Sequence, residues 1–394
     1  MKFCHVRRYN DKSYVKGPII VRADAGGAIG TGHVMRMLAL AQVWVENGGW
    51  QMADGESADN DKEVVFICAQ LPKSLEARLR EEGFAVVRID AEPGSEADVR
   101  ETLAFLGSRF SVVGSRAPVT NHRPPTSDHW LVLDGYHFGY DYQKAIKEFG
   151  LRLLCVDDHG YSDRWYCDAI LNQNLDAEKR INYQTELPDT KLLLGATFCL
   201  LRREFLQAQR PVKEWGRIQS LLVTLGGSDP GNATGAVLQL LHQACPRPLD
   251  IRVLLGSDSQ HMEVIQAFES HHRIEVLQGV SNMSEQYAWA DGIISAGGST
   301  CWEWLYFGLL GAIVTIAENQ LPIVNALTEM REAALCLGWV REFDQKKIAG
   351  ILESWFDSPT LKVKQMAAHS LIDGVGGLRV VDFLTGRSSN QHAE

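Results

Sequence analysis

Short apolar runs of strand length alternate with amphipathic stretches of helix length along almost the whole 394-residue chain. Near-continuous apolar runs are typical of strands that are buried on both faces, as in parallel sheets. Strands that alternate with helices predict wound α/β sheets. The predicted strands fall into two series: Ile19–Arg22, Val64–Cys68, Ala85–Ile89, Trp130–Leu133, Leu151–Val156, Ala169–Leu171 and Lys191–Leu194, then Ser220–Leu225, Asp250–Leu255, Ile274–Leu277, Gly292–Ser295 and Ala312–Thr315.

The two series predict two α/β domains, and the length of the chain suits two ordinary cores. They are separated by a polar stretch, 205–219, which contains Pro211 and is the best linker candidate. The predicted domains are therefore 18–208 and 218–375. Three further regions are predicted to be flexible, namely the tails and an acidic surface insertion: 1–17, 385–394 and 50–62.

The amino-acid composition argues against several classes of function. A net charge of −10 argues against a wide nucleic-acid surface. The eight cysteines are scattered without a CxxC pair, which favours a reduced, cytoplasmic protein. There is neither a signal-peptide core nor a run of the roughly 18–20 apolar residues that a membrane span needs, so we expect no stable membrane insertion.

The first chemistry-bearing turn reads RADAGGAIGTGHVMR, residues 22–36, and lies between a predicted strand and a predicted helix. It lacks the third glycine of the dinucleotide fingerprint, because Met35 occupies that position, and it lacks the Gly-Lys-Ser/Thr of a P-loop. Gly30 and Gly32 allow a ligand to approach the backbone closely. The helix that begins near His33 offers unpaired N–H groups at its positive end.

That position suggests a role for His33. The positive end of a helix disfavours a second positive charge, so we expect a neutral imidazole that can accept a proton from water as a general base. The alternative is a histidine that caps the helix or packs under the loop.

Two further glycine-rich turns follow strands of the second series. In LLVTLGGSDPGNATG, the group Gly226, Gly227 and Ser228 precedes a helix and suits a diphosphate, although an ordinary turn with an Asp-Pro helix start remains the alternative. In ISAGGSTCWE, Ser299 and Thr300 open a helix that carries Glu303. Glu303 can accept hydrogen bonds from a ribose diol, or it is a plain glutamate that the helix dipole favours.

Polar residues also follow two strands of the first series, in Asp134-Gly135-Tyr136 and in Asp157-Asp158-His159. Such residues line the ligand-binding edge in open α/β sheets, although acidic turn residues are common. Adjacent residues on one turn rarely converge on one ion. We therefore predict no metal site and no cofactor.

The motifs, taken in order, resemble a known family. RADAGGAIGTGHVMR, LVLDGY, VDDHG with CDAILNQN, LLGATFCLLRREF, LGGSDPGN and ISAGGSTCWE…ENQ are similar to the UDP-sugar hydrolases of pseudaminic acid biosynthesis and their spore-coat polysaccharide relatives. That family resembles two-domain glycosyltransferases of GT-B architecture, especially the N-acetylglucosaminyltransferase of peptidoglycan synthesis. The resemblance implies two Rossmann-like domains that face across a cleft, with UDP mainly on the C-terminal domain.

The resemblance also implies roles for single residues. His33 corresponds to the family's catalytic histidine, and Tyr136 to a tyrosine that lines the cleft. Gly226, Gly227 and Ser228 correspond to the diphosphate loop, Glu303 to the ribose-binding glutamate, and Asn319 and Gln320 to an Asn-Gln pair near the sugar or phosphate. The implied reaction is hydrolysis of a UDP-2,4-diacetamido-2,4,6-trideoxy sugar by water. The alternatives are a glycosyltransferase with the same donor, a hydrolysing epimerase and a non-catalytic nucleotide-sugar binding protein.

Overall fold

In the computed structural model, the chain is described over residues 18–26, 29–48, 64–110, 129–210, 218–226, 229, 232–245, 247–256, 271–280, 282–356 and 361–387. It divides into two units. The first comprises residues 1–172, 182–193 and 377–394, and the second comprises 173–181 and 194–376. The predicted 50–62 insertion and the predicted tail 1–17 lie outside the described residues.

Each unit contains one sheet in which neighbouring strands run parallel. The seven strands of the first sheet have the order β3-β2-β1-β4-β5-β6-β7, and the six of the second have the order β10-β9-β8-β11-β12-β13. The strands are β1 Ile19–Ala23, β2 Val64–Cys68, β3 Ala85–Arg88, β4 Trp130–Asp134, β5 Arg152–Val156, β6 Ala169–Asn172, β7 Lys191–Leu194, β8 Ser220–Thr224, β9 Asp250–Leu255, β10 Arg273–Gln278, β11 Gly292–Ala296, β12 Leu310–Thr315 and β13 Ala334–Trp339.

Helices connect the strands, as the alternating pattern predicted. The α-helices of the described residues are α1 Gly32–Val43, α2 Lys73–Glu81, α3 Glu96–Phe110, α4 Tyr140–Glu148, α5 Ala177–Arg180, α6 Arg203–Leu206, α7 Ala233–Ala244, α8 Met283–Trp289, α9 Thr300–Tyr306, α10 Leu321–Asn325, α11 Gln345–Phe356, α12 Leu361–Ser370 and α13 Gly376–Thr385. No helix in this part of the chain has the length and apolar character that a bilayer crossing requires.

The strands form because their side chains are buried on both faces. All five residues of β1 and all five of β4 are buried, and β12 is buried along its whole length. The predicted α/β class is thus confirmed, and all twelve predicted strands are present. The strand that the sequence analysis missed is β13, which is only partly buried at the edge of its sheet and contains Gly338 with φ of +84°.

The units exchange short segments near their boundaries, so they differ from the continuous domains predicted from sequence. Residues 194–210 belong to the second unit, where Phe205 of the predicted linker is fully buried beside Tyr287. The C-terminal helix α13 belongs to the first unit, where the Trp130 Nε1 donates to the Leu384 carbonyl at 2.8 Å. The predicted C-terminal tail also starts too early, because Thr385 is buried. Residues 388–394 of that tail lie outside the described residues.

In each sheet, the first three strands follow one another toward one edge, and the later strands then follow one another toward the other edge. This switch point lies between β1 and β4 in the first sheet and between β8 and β11 in the second. Open α/β sheets bind ligands outside the carboxyl ends of the strands at such a point, because the loops on either side diverge there. Three of the turns singled out from the sequence follow β1, β8 and β11.

We predict that Gly311→Ala destabilises the second unit by about 1–3 kcal/mol. A Cβ at Gly311 would lie 2.2 Å from the Cη2 of Trp304, whose indole is fully buried and donates to Ser295. The matched control is Gly350→Ala in α11, where a Cβ meets nothing within 4 Å, so it should stabilise by about 0.5–1 kcal/mol. Urea unfolding curves measure both changes, and equal curves for the two variants would contradict the packing argument.

Candidate active site

The turn after β1 is closed by its own backbone. Gly26 and Gly30 exchange two hydrogen bonds of 3.1 and 2.7 Å, and Gly30 has φ of +79°, which a side chain would disfavour. The next residues enter α1, which begins at Gly32, and the Met35 N–H donates to the Thr31 carbonyl. His33 therefore lies in the first turn of α1, at the switch point of the first sheet.

His33 is paired with a buried carboxylate. Its Nδ1 lies 2.7 Å from Oδ1 of Asp134, which ends β4 and is fully buried. Because an ionised carboxylate only accepts, Nδ1 carries a proton and donates it, so a neutral ring presents a lone pair at Nε2. In the described part of the chain, Nε2 has no hydrogen-bond partner. This is the orientation that a general base needs.

Arg36 holds the same carboxylate from the other side. Its Nε donates to Oδ2 of Asp134 at 2.9 Å, and its terminal nitrogens donate to Oδ1 of Asp134 at 2.7 Å and to Asp158 at 2.5 Å. Burial alone would raise the pKa of Asp134, but the charge of Arg36 and the hydrogen bonds from Arg36 and His33 outweigh it and hold that pKa below its ordinary value. Asp134 therefore stays ionised at neutral pH.

Tyr136 lies beside His33. Its ring meets the His33 ring edge to face with centroids 4.7 Å apart, and its hydroxyl donates to Asp158 at 2.9 Å. Burial and the Asp158 carboxylate raise the pKa of Tyr136, so the phenol stays protonated. The ring remains 37% exposed, which leaves it able to contact a ligand.

In the Asp157-Asp158-His159 turn, Asp157 stabilises the turn and Asp158 contacts the residues around His33. Asp157 is fully buried and accepts hydrogen bonds from the Gly160 N–H at 2.8 Å and the Tyr183 hydroxyl at 2.6 Å, so it shapes the turn. Asp158 faces Arg36 and Tyr136. The described residues contain no group of three or more His, Cys, Asp or Glu side chains placed to hold a metal ion.

The other predicted residues lie in the second unit, where β8, β11 and β12 are neighbours. Gly226 follows β8 with φ of +99°, whereas Gly227 and Ser228 lie outside the described residues. Ser299 and Thr300 follow β11. Asn319 and Gln320 follow β12, so these turns share one edge of the sheet; Asn319 is exposed, and Gln320 accepts a hydrogen bond from the Ile316 N–H.

Glu303 is held by two donors that the sequence analysis did not foresee. Arg202 donates to its Oε1 at 3.1 Å, and the hydroxyl of the fully buried Tyr287 donates to its Oε2 at 3.0 Å. Burial raises the pKa of Glu303 in spite of these partners. Each carboxylate oxygen keeps a second lone pair, so the pair of oxygens can still accept from a vicinal diol.

The sequence analysis thus missed Arg36, Arg202 and Tyr287 as site residues. Arg36 left a usable signal, since it lies three residues after His33 on the apolar, buried face of a helix. Arg202 lies in the motif LLGATFCLLRREF, but neither Arg202 nor Tyr287 could be placed beside Glu303 from sequence, because they are 101 and 16 residues away from it in the chain.

Part of the chain matches a known family of domains. Residues 221–368 match the glycosyltransferase family 28 C-terminal domain. This domain covers most of the second unit, including the turns after β8, β11 and β12.

Three relatives are each 24% identical to the chain. An uncharacterized protein of Methanocaldococcus jannaschii aligns over 77% of this chain, but the aligned stretch spans only 56% of that protein. The spore coat polysaccharide biosynthesis protein SpsG of Bacillus subtilis aligns over 61% of this chain and 71% of its own length. The UDP-2,4-diacetamido-2,4,6-trideoxy-β-L-altropyranose hydrolase of Campylobacter jejuni aligns over 64% and 75%. The resemblance to the last two proteins, inferred from the motifs, is thereby confirmed.

Solved structures share the fold. MurG of Acinetobacter baumannii has a TM-score of 0.60 at 16% identity, over 93% of this chain and 99% of that chain. A UDP-glucosyltransferase from Polygonum tinctorium has a TM-score of 0.61 at 11% identity, over 95% and 98%. The fold is therefore that of the GT-B glycosyltransferases, as predicted.

We predict that Asp134→Asn lowers the free energy of unfolding at pH 7 by about 3 kcal/mol, because it removes one partner of a buried ion pair. The folded pKa of Asp134 is lowered, so the stability that its ionised form contributes is complete above the unfolded pKa of about 3.9 and is lost as the pH falls through the folded pKa. The difference in the free energy of unfolding between wild type and variant should therefore decrease below about pH 4. Denaturant unfolding at a series of pH values from 7 downwards measures this difference. The control is Asp141→Asn, on the exposed face of α4. A difference that stays constant would contradict the pairing.

Proposed function

We propose that this protein is a UDP-sugar hydrolase in which His33 activates a water molecule. The observation that carries the proposal is the pairing of His33 Nδ1 with Asp134 at the switch point of the first sheet, which leaves Nε2 oriented by a buried anion and without a partner among the described residues. The relationship to a UDP-sugar hydrolase and to a polysaccharide biosynthesis protein supports it.

In this mechanism each element of the site has one task. Nε2 of His33 takes a proton as the water oxygen attacks the anomeric carbon, and the imidazolium that forms is stabilised by Asp134. The bond between the anomeric carbon and the diphosphate oxygen breaks, and UDP departs with that electron pair. Arg36 keeps Asp134 ionised and in place. The products are UDP and a free sugar.

The second unit binds the nucleotide in this proposal. Its three turns follow neighbouring strands at the switch point, and it matches a glycosyltransferase C-terminal domain. Glu303 accepts hydrogen bonds from the ribose diol, while Gly226, Gly227, Ser228, Ser299 and Thr300 lie near the diphosphate. Asn319 and Gln320 contact the sugar or the phosphate. The substrate class is a UDP-2,4-diacetamido-2,4,6-trideoxy sugar, by analogy with the Campylobacter relative.

The second candidate is a glycosyltransferase, which the match to the glycosyltransferase family 28 C-terminal domain favours. The same base would then deprotonate an acceptor hydroxyl instead of water. Incubation with UDP-diacetamido sugars in ¹⁸O water without an acceptor separates the two. Release of UDP with label on the anomeric oxygen supports hydrolysis, whereas turnover only after an acceptor is added supports transfer. Label on phosphate would contradict attack at carbon, and intact substrate under all conditions would favour a binding protein.

We predict that His33→Gln lowers kcat by about 100- to 10,000-fold while the Kd for UDP changes less than about twofold. The reason is that the variant loses the proton acceptor but no group proposed to bind the nucleotide. His129→Gln, at the opposite end of β4, is the matched control and should retain full turnover. Steady-state kinetics and calorimetry measure both values. Unchanged turnover in His33→Gln would remove the histidine from the mechanism.

We also predict that Glu303→Gln weakens UDP binding about tenfold but leaves the Kd of 2′,3′-dideoxy-UDP nearly unchanged, because only the ribose hydroxyls reach the carboxylate. Tyr287→Phe removes one donor to Glu303 and should show the same selectivity in weaker form. Calorimetric titration of both nucleotides measures the difference. Equal weakening for both nucleotides would indicate a structural role for Glu303.

A further inference from the structure

A second histidine–aspartate pair lies at the same switch point as the first. His137 follows β4, and its Nε2 lies 3.1 Å from Oδ2 of Asp24, which follows β1. The arrangement is reciprocal, because His33 follows β1 and pairs with Asp134 at the end of β4. Ala23 and Asp134 are paired in the sheet, so Asp24 lies one residue beyond the partner of Asp134 on the neighbouring strand.

Asp24 does not need the histidine to satisfy its charge. The carboxylate is fully buried, and its Oδ1 accepts from the N–H groups of Ala69 and Gln70 at 2.7 and 2.9 Å. Arg22 approaches Oδ2 at 2.7 Å. Three donors therefore hold the anion before His137 is counted. Because these donors already hold Asp24 in place, its contact with His137 orients the imidazole ring.

The backbone around His137 makes room for the ring. A Cβ at Gly135 would lie 2.8 Å from Cε1 of His137, and a Cβ at Gly94 would lie 2.5 Å from its carbonyl oxygen. Gly94 also has φ of +78°. The side chain of His137 stays 22% exposed although its partner Asp24 is completely buried. Nε2 is thus anchored on a buried carboxylate, while the side chain as a whole keeps contact with solvent.

The contact between Nε2 of His137 and Asp24 determines what the other ring nitrogen, Nδ1, can do. Because Asp24 is an acceptor, Nε2 carries the proton, and a neutral ring offers a lone pair at Nδ1. In the described residues, Nδ1 has no hydrogen-bond partner. Nδ1 is therefore an acceptor that suits an N–H or O–H donor of a ligand.

We propose that His137 is a second substrate-binding residue, whose Nδ1 accepts a hydrogen bond from an amide N–H or a hydroxyl of the sugar. The inference rests on the proposed function, since it places the sugar of the UDP-sugar at the switch point of the first sheet. Hydrolysis at carbon requires one base, and a departing diphosphate needs no proton because its oxygen is a weak base. The second imidazole is therefore assigned to binding. A diacetamido sugar carries two amide N–H donors that match an acceptor of this kind.

The test compares binding of UDP and of a UDP-2,4-diacetamido sugar by titration calorimetry. The parent protein is His33→Gln, in which we expect turnover to be slowed at least about 100-fold, and His137→Phe is added to it. We expect the added change to weaken UDP-sugar binding about tenfold and UDP binding less than about twofold. If the phenylalanine variant has a lowered Tm, the comparison uses His137→Ala, which also removes the Nδ1 acceptor but adds no bulk.

Two results would overturn the proposal. In a folded variant, the binding of UDP and of the UDP-sugar could be weakened equally, or the binding of neither could be weakened. Failure of the proposed function gives a different result. In that case the wild-type protein releases no UDP in the ¹⁸O experiment, while the selective effect of His137→Phe on UDP-sugar binding is still observed.

Discussion

The Asp134 carboxylate is the constraint on which the proposed chemistry depends. It ends a completely buried strand, accepts from His33 on one side and is held by Arg36 on the other. A buried carboxylate without partners would take up a proton, because burial disfavours its charged form. With Arg36 in place it stays ionised, and an ionised carboxylate determines which nitrogen of His33 carries the proton. In the proposed mechanism, the Asp134–Arg36 ion pair thus determines which nitrogen of His33 acts as the base.

In the proposed function, the two units apply the same topological principle to different tasks. In each, the candidate residues follow strands on either side of the point where the strand order reverses. The first unit presents two histidines that follow the neighbouring strands β1 and β4, and each is oriented by an aspartate that an arginine supports. The second unit presents backbone turns and one glutamate held by Arg202 and Tyr287. Proton transfer needs oriented side chains, whereas binding of a diphosphate is well served by backbone N–H groups.

Much of this architecture was predictable because it depends on local patterns. Buried parallel strands such as β1 and β12 are apolar along their length, so their positions could be identified from sequence. The edge strand β13 is half exposed and interrupted by a glycine, and that pattern does not distinguish a strand from a loop. The boundary between the units was also misplaced, because burial of Phe205 against Tyr287 and return of α13 to the first unit are long-range contacts.

By itself, the sequence determined the α/β class, the strand and helix order, and the glycine-rich turns that carry His33, Gly226 and Glu303. These features follow from periodicity and from backbone freedom within a few residues. Only the tertiary structure decided the partners of those residues, such as Asp134 for His33 and Arg202 for Glu303. A pairing of this kind depends on which strands become neighbours, and 101 residues separate His33 from Asp134 along the chain. Local chemistry selects the candidate residues, and the order of strands in the sheet brings their partners to them.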